Sequence, residues 1–218
     1  MKLRYEHFEA VEKHAGKLGV LIAIMVAIGG LAELTPLFVQ AHAVRPALGV
    51  RPYDALRLAG RDVYVREACY QCHSQMIRTL RFEVERYGPY STVEESAYDR
   101  PFQWGSKRTG PDLARVGGKY SDEWQRQHLL SPRKFVPETN MPNYPWLAKR
   151  IIDGPDLRER MLTLRMLGDP YTDEDIAGAW AAVDGKTELD ALVAYLQGLG
   201  VKNNGPASGT SVSTAGSP

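Results

Sequence analysis

Between Leu18 and Val39 the chain reads LGVLIAIMVAIGGLAELTPLFV, twenty-two residues in which Glu33 is the only charge. Lipid offers the backbone no hydrogen-bond partners, so such a run can cross a membrane only as helix. At about 1.5 Å of rise per residue it reaches roughly 33 Å, against a hydrocarbon core of about 30 Å. A single N-terminal transmembrane helix is the expectation. A cleaved signal sequence has a shorter apolar core, usually about 7 to 15 residues, and no small-residue cleavage pattern clearly follows this run. The flanking charges do not orient it, because Lys2, Arg4, Lys13 and Lys17 precede it while Arg45, Arg51 and Arg57 follow it. Glu33, with Pro36 behind it, is costly in lipid and points to contact with a neighbouring membrane helix.

Across all 218 residues, 44% are hydrophobic and 24% charged, which excludes disorder throughout. The formal charge of +1 comes from 27 Lys+Arg against 26 Asp+Glu, so no single-sign field exists to capture nucleic acid. Residues 40–60, with Pro46, Gly49 and Pro52 among arginines, read as a connector that turns helical toward the cysteines. Later helices carry their own start signals. Ser121 caps DEWQRQHLL, Asp156 opens LRERMLTLRML, Thr172 caps DEDIAGAWAAV, and Thr187 caps ELDALVAYLQGL. Asp175 and Asp190 stand three residues after the two threonines. In the last helix Leu189, Leu192, Val193 and Leu196 share one face. No alternating strand pattern and no internal repeat is present.

The two cysteines of the chain fall in Cys69-Tyr70-Gln71-Cys72-His73. Thiols at this spacing add across the two vinyl groups of a haem, and the imidazole next to them reaches the iron from the same side. A thioredoxin-like dithiol needs a strand–helix context that is absent, and a zinc site needs two further ligands. Covalent haem is attached on the oxidising outer side of a bacterial membrane, which places residues after 40 outside and the N-terminus inside. The expected order is a cytoplasmic segment 1–17, a transmembrane helix 18–39, a connector 40–60, a cytochrome c domain 61–200 and a disordered tail 201–218.

A second axial ligand has to come from the other haem face. Met76 is too near His73, Met25 lies in the membrane run, and Met161 and Met166 fall on a helix where a core role is expected. Met141 is favoured, because the prolines of Pro137-Glu-Thr-Asn-Met-Pro-Asn-Tyr-Pro145 hold an extended chain that can hang a thioether over a flat ring. His128, on a helix with Trp124, is the rival. The turn Gly110-Pro111-Asp112-Leu113 offers the Pro111 carbonyl as acceptor for the His73 ring N–H, with Leu113 as a packing residue. Of the donors nearby, Arg108 and Trp124 are the candidates for the haem propionates.

The runs REACYQCHSQMIRTLRFEVERYG, YDRPFQWGSKRTGPDLARVGGKYSDEWQRQHLLSPR and NMPNYPWL, with GGLAELTPLF and TELDALVAYLQGLG, closely resemble the monohaem subunit II of cbb(3)-type cytochrome c oxidases over about residues 5–200. The resemblance implies a mainly α chain with one transmembrane helix and a class I cytochrome c domain in the periplasm, anchored in a bacterial inner membrane. It implies one haem c, attached at Cys69 and Cys72 and ligated by His73 and Met141. Its partners would be membrane lipid, a haem-copper catalytic subunit that reduces oxygen to water, and a further cytochrome c subunit or a soluble cytochrome c as donor. Thr79 stands where the family usually has proline. On this resemblance the long stretch between the cysteine motif and the GPDL turn is a candidate docking surface.

On this reading the chain is an electron carrier within an enzyme, with no active site of its own. A haem with both axial positions filled does not readily bind oxygen, and five histidines leave no CuB-type cluster. A peroxidase would need an open iron position. The monohaem subunit of a nitric oxide reductase shares the architecture, and only the quoted runs argue against it. A membrane-tethered shuttle would need a longer, more flexible linker.

Overall fold

The computed structural model describes residue 9 and residues 11–200; the tail expected at 201–218 and most of the segment 1–17 lie outside the described residues. The chain divides into two compact units, Met1–Ala43 and Val44–Pro218.

The first unit holds helix α1, Ala15–Ala43, whose stretch Ala15–Pro36 is long and apolar enough to cross a membrane. It extends past both ends of the expected run. Pro36 lies inside it and has no N–H for the carbonyl one turn back, while the Thr35 hydroxyl donates to Leu31 O at 2.6 Å.

Among the described residues the second unit has six α-helices: α2 Ala55–Arg66, α3 Arg81–Tyr87, α4 Asp122–Leu130, α5 Gly154–Met166, α6 Asp173–Val183 and α7 Glu188–Gln197. Among the described residues there is no β-strand, only two isolated bridges. The fold is mainly α, as expected. Helix α2 begins where the Asp54 carboxylate accepts from Arg57 N at 2.9 Å, in the stretch expected to turn helical toward the cysteines. Ser121 accepts from Trp124 N, and Thr172 and Thr187 form full capping boxes with Asp175 and Asp190. Helix α5 starts two residues before Asp156, because Pro155 sits in a first turn whose N–H groups have no helical acceptor.

Helices α2 and α7 pack against each other at Gly60, where a Cβ would stand 1.9 Å from Ala191 O. Only a bare glycine lets the two backbones approach so closely. Around this contact the stripe Leu189, Leu192, Val193 and Leu196 is buried with Val63, Tyr64, Val116, Leu129 and Leu147. A second cluster joins Leu58 of α2 to Leu157, Met161, Tyr171, Ile176 and Val183. The core role expected of both α5 methionines holds only for Met161, at 1% exposure. Met166, on the last turn, is 80% exposed.

Candidate haem-attachment site

Helix α2 ends at Arg66, and the chain reverses through Ala68, a non-glycine residue in the left-handed region at φ 56°. The next turn, Cys69–Gln71, is a 3-10 helix closed by Cys72 N donating to Cys69 O at 3.1 Å and His73 N to the same oxygen at 2.9 Å. Both thiols are free, with Cys69 half-buried and Cys72 exposed. Burial, then the Glu67 charge, pushes the Cys69 thiol up to about 12, so it stands as the neutral S–H.

The His73 ring is held on two sides. Its Nδ1 lies 2.8 Å from Pro111 O, and since a carbonyl can only accept, the proton belongs on Nδ1 and the Nε2 lone pair is left for a ligand. Gly110 lies against the ring, where a Cβ would come 2.2 Å from Cε1. Burial lowers the imidazole pKa, which favours the neutral form that coordinates metals. The turn that supplies both contacts is tied back to the cysteine segment by Gly110 N to Cys72 O and Leu113 N to Ser74 O, each at 2.9 Å. Tyr64 of α2 donates its hydroxyl to His73 O at 3.0 Å.

Met141 is half-buried against the same cluster that Cys69, Leu113 and Tyr144 pack on. Its loop is non-helical, with Met141 N donating to Thr139 Oγ1 at 3.2 Å and Tyr144 N to Leu129 O at 3.0 Å. Trp146 Nε1 donates to Glu67 Oε2 at 3.2 Å, linking this loop to the end of α2. His128 occupies an aromatic ladder on α4: it stacks on Trp124 at 4.6 Å, and Trp124 stacks on Tyr120 at 4.0 Å. Burial lowers the His128 pKa.

Arg108 is engaged within the protein. Nη2 donates to Met76 O and to Glu83 Oε2, both at 2.9 Å, and Nη1 reaches Ser74 Oγ and Gly105 O. Sequence reasoning missed Glu83, which is fully buried. A glutamate on a short helix without an apolar stripe reads as solvated, and no local signal marks it otherwise.

The donor set fits a covalently held haem. Two free thiols share one turn, a neutral imidazole is oriented with one nitrogen unused, and a thioether lies on the same apolar cluster as the first thiol. No curated protein matches the chain in the sequence comparison. The family described as "Cytochrome C oxidase, mono-heme subunit/FixO" matches residues 8–186. Membership makes the chain a subunit of a respiratory oxidase complex, with one haem c and a catalytic subunit as partner. Its helix Ala15–Ala43 suits a membrane anchor. By sequence match, helical fold and cysteine turn, the chain belongs to the cytochrome c oxidase mono-haem subunit (FixO) family.

Proposed function

We propose that this chain is the electron-transfer subunit of a cbb(3)-type oxidase, passing electrons through one covalent haem c to the catalytic subunit that reduces oxygen to water. Cys69 and Cys72 would hold the haem by thioethers, and His73 and Met141 would be the ligands of its iron. The cofactor supplies a one-electron couple. The protein supplies the rest: Pro111 O fixes the tautomer and direction of His73, Leu113 and Tyr144 keep water from the apolar side, and Trp124 is the candidate propionate donor. The guanidinium of Arg108 is committed to Glu83 and backbone carbonyls. The N-terminus lies in the cytoplasm, helix 18–39 spans the inner membrane, a connector leads to a periplasmic cytochrome c domain, and the donor is another cytochrome c subunit or a soluble cytochrome c. Catalysis belongs to the partner.

The observation that carries this reading is the pairing of two free thiols with a His73 ring whose Nδ1 is bound to Pro111 O. Replacing both Cys69 and Cys72 by Ala is expected to abolish haem staining on a denaturing gel, and normal staining would overturn the reading. Mass spectrometry of chains that co-purify in detergent separates an oxidase from a nitric oxide reductase or a tethered shuttle, and a nitric oxide reductase catalytic subunit in that set would displace the proposal.

A further inference from the structure

The segment that carries His73 is fastened by buried charges. Glu83 on α3 has no exposure, and its carboxylate accepts from Arg78 N at 2.8 Å, Arg78 Nε at 2.7 Å and Arg108 Nη2 at 2.9 Å. A carboxylate this deep is tolerated only when paired and fully hydrogen-bonded. One of its partners, Arg108, forms the isolated backbone bridge with His73 and donates to Met76 O, on the chain just past that histidine.

Asp112 completes the group. Its Oδ2 accepts from Ser74 Oγ at 2.6 Å and Met76 N at 3.0 Å, and its Oδ1 from Ala114 N at 2.8 Å. Residues 72–76 and 108–114 are therefore joined side by side by backbone and side chains together. Pro111 lies between Gly110 and Asp112, both fixed to this seam, and its carbonyl is the one that meets His73 Nδ1. Neither Glu83 nor Arg108 hydrogen-bonds to the ring itself.

We infer that Glu83 and Arg108 are positioning residues for His73: their ion pair keeps residues 108–113 in register, holds Pro111 O on Nδ1, and so sets the donor strength of the imidazole. This rests on the proposed role of His73 as an axial ligand. A hydrogen bond at Nδ1 makes the opposite nitrogen more basic, which favours the oxidised metal. Loosening that bond raises the reduction potential, and loss of the buried negative charge of Glu83 acts in the same direction.

The test uses the full-length, haem-loaded chain in detergent, with Glu83→Gln, Arg108→Lys and Arg78→Gln beside the wild type. Three quantities are read: haem content, midpoint potential, and the solvent-exchange rate of the His73 Nδ1 proton in the ferrous protein by NMR. Glu83→Gln is expected to raise the potential and quicken exchange severalfold. Arg108→Lys keeps the charge but loses the guanidinium fork, and is expected to quicken exchange as well. Arg78→Gln removes a side-chain hydrogen bond to Glu83 but none to residues 108–113, and is expected to exchange at the wild-type rate.

Wild-type potential and exchange in Glu83→Gln and Arg108→Lys, with haem retained, would overturn the inference alone. Exchange quickened equally by Arg78→Gln would also overturn it, as general loosening. Should Glu83→Gln not accumulate, the exchange rate in Arg108→Lys decides. A wild-type chain that carries no haem overturns the underlying reading instead.

Discussion

Gly110 lies so near the His73 ring that a methyl group in place of its hydrogen would stand 2.2 Å from Cε1. Gly110→Ala must push the imidazole off Pro111 O or open the turn, at a cost of about 1–3 kcal/mol by the measure of overpacked cores. Thermal denaturation should show that loss, together with a lower haem yield. At Met141, replacement by His is expected to keep the haem and lower the potential, because imidazole is the stronger donor. The thioether near-infrared band of the ferric protein should vanish in Met141→Ala; if it persists, another methionine is the ligand. Glu83 gives a prediction in acid. The Arg78 hydrogen bonds first, and Arg108 next, hold its carboxyl down at about 2, against an ordinary value of 4.5. A lowered folded-state pKa stabilises fully above the unfolded value and ceases to do so as pH falls through the folded one. The stability gap between wild type and Glu83→Gln should therefore be constant above about pH 5 and close between roughly pH 4.5 and 2. Denaturant titrations at stepped pH measure it, and a gap that widens in acid would contradict the pairing.

Among the helices, the contact of α2 with α7 is the least forgiving, since the atom facing Gly60 is a backbone oxygen that no rotamer change can move aside. Gly60→Ala should cost on the order of 3 kcal/mol, while Thr187→Ala, which removes one capping box, should cost about 1 kcal/mol. Equilibrium unfolding of the two variants ranks them, and a reversed order would discredit the contact. The capped starts of α4, α6 and α7 were legible in the sequence because a cap acts on backbone within three residues of itself. The start of α5 was not, because proline reads as a breaker while being acceptable in a first turn. Helix α3 gave no sign either: Leu80 and Phe82 are exposed, and its fully buried residue is the acid Glu83. The site divides the same way. The attachment chemistry is contiguous in sequence, and the Pro111 acceptor belongs to a recognisable turn. The pairing of Glu83 with Arg108 spans 25 residues that follow no period, so only the folded chain brings it into view.

At the scale of the whole molecule, 27 Lys+Arg against 26 Asp+Glu leave little net field for steering a diffusing partner. A carrier anchored beside its acceptor does not depend on such steering. Reoxidation of the haem in the intact complex is expected to change little with ionic strength or concentration, and stopped-flow traces at two salt levels and two protein concentrations check it. A rate that falls steeply with salt and scales with concentration would mean a free shuttle. The contact at Gly60 also imposes an order in time. Helix α2 precedes the cysteines, whereas its cover, Ala191 and the α7 stripe, arrives near the end of the described chain. As the chain emerges, Cys69 and Cys72 lie on a segment whose partner has not yet been made, with both thiols open to reaction. The core on which the cysteine turn is mounted is therefore complete only once α7 has been made.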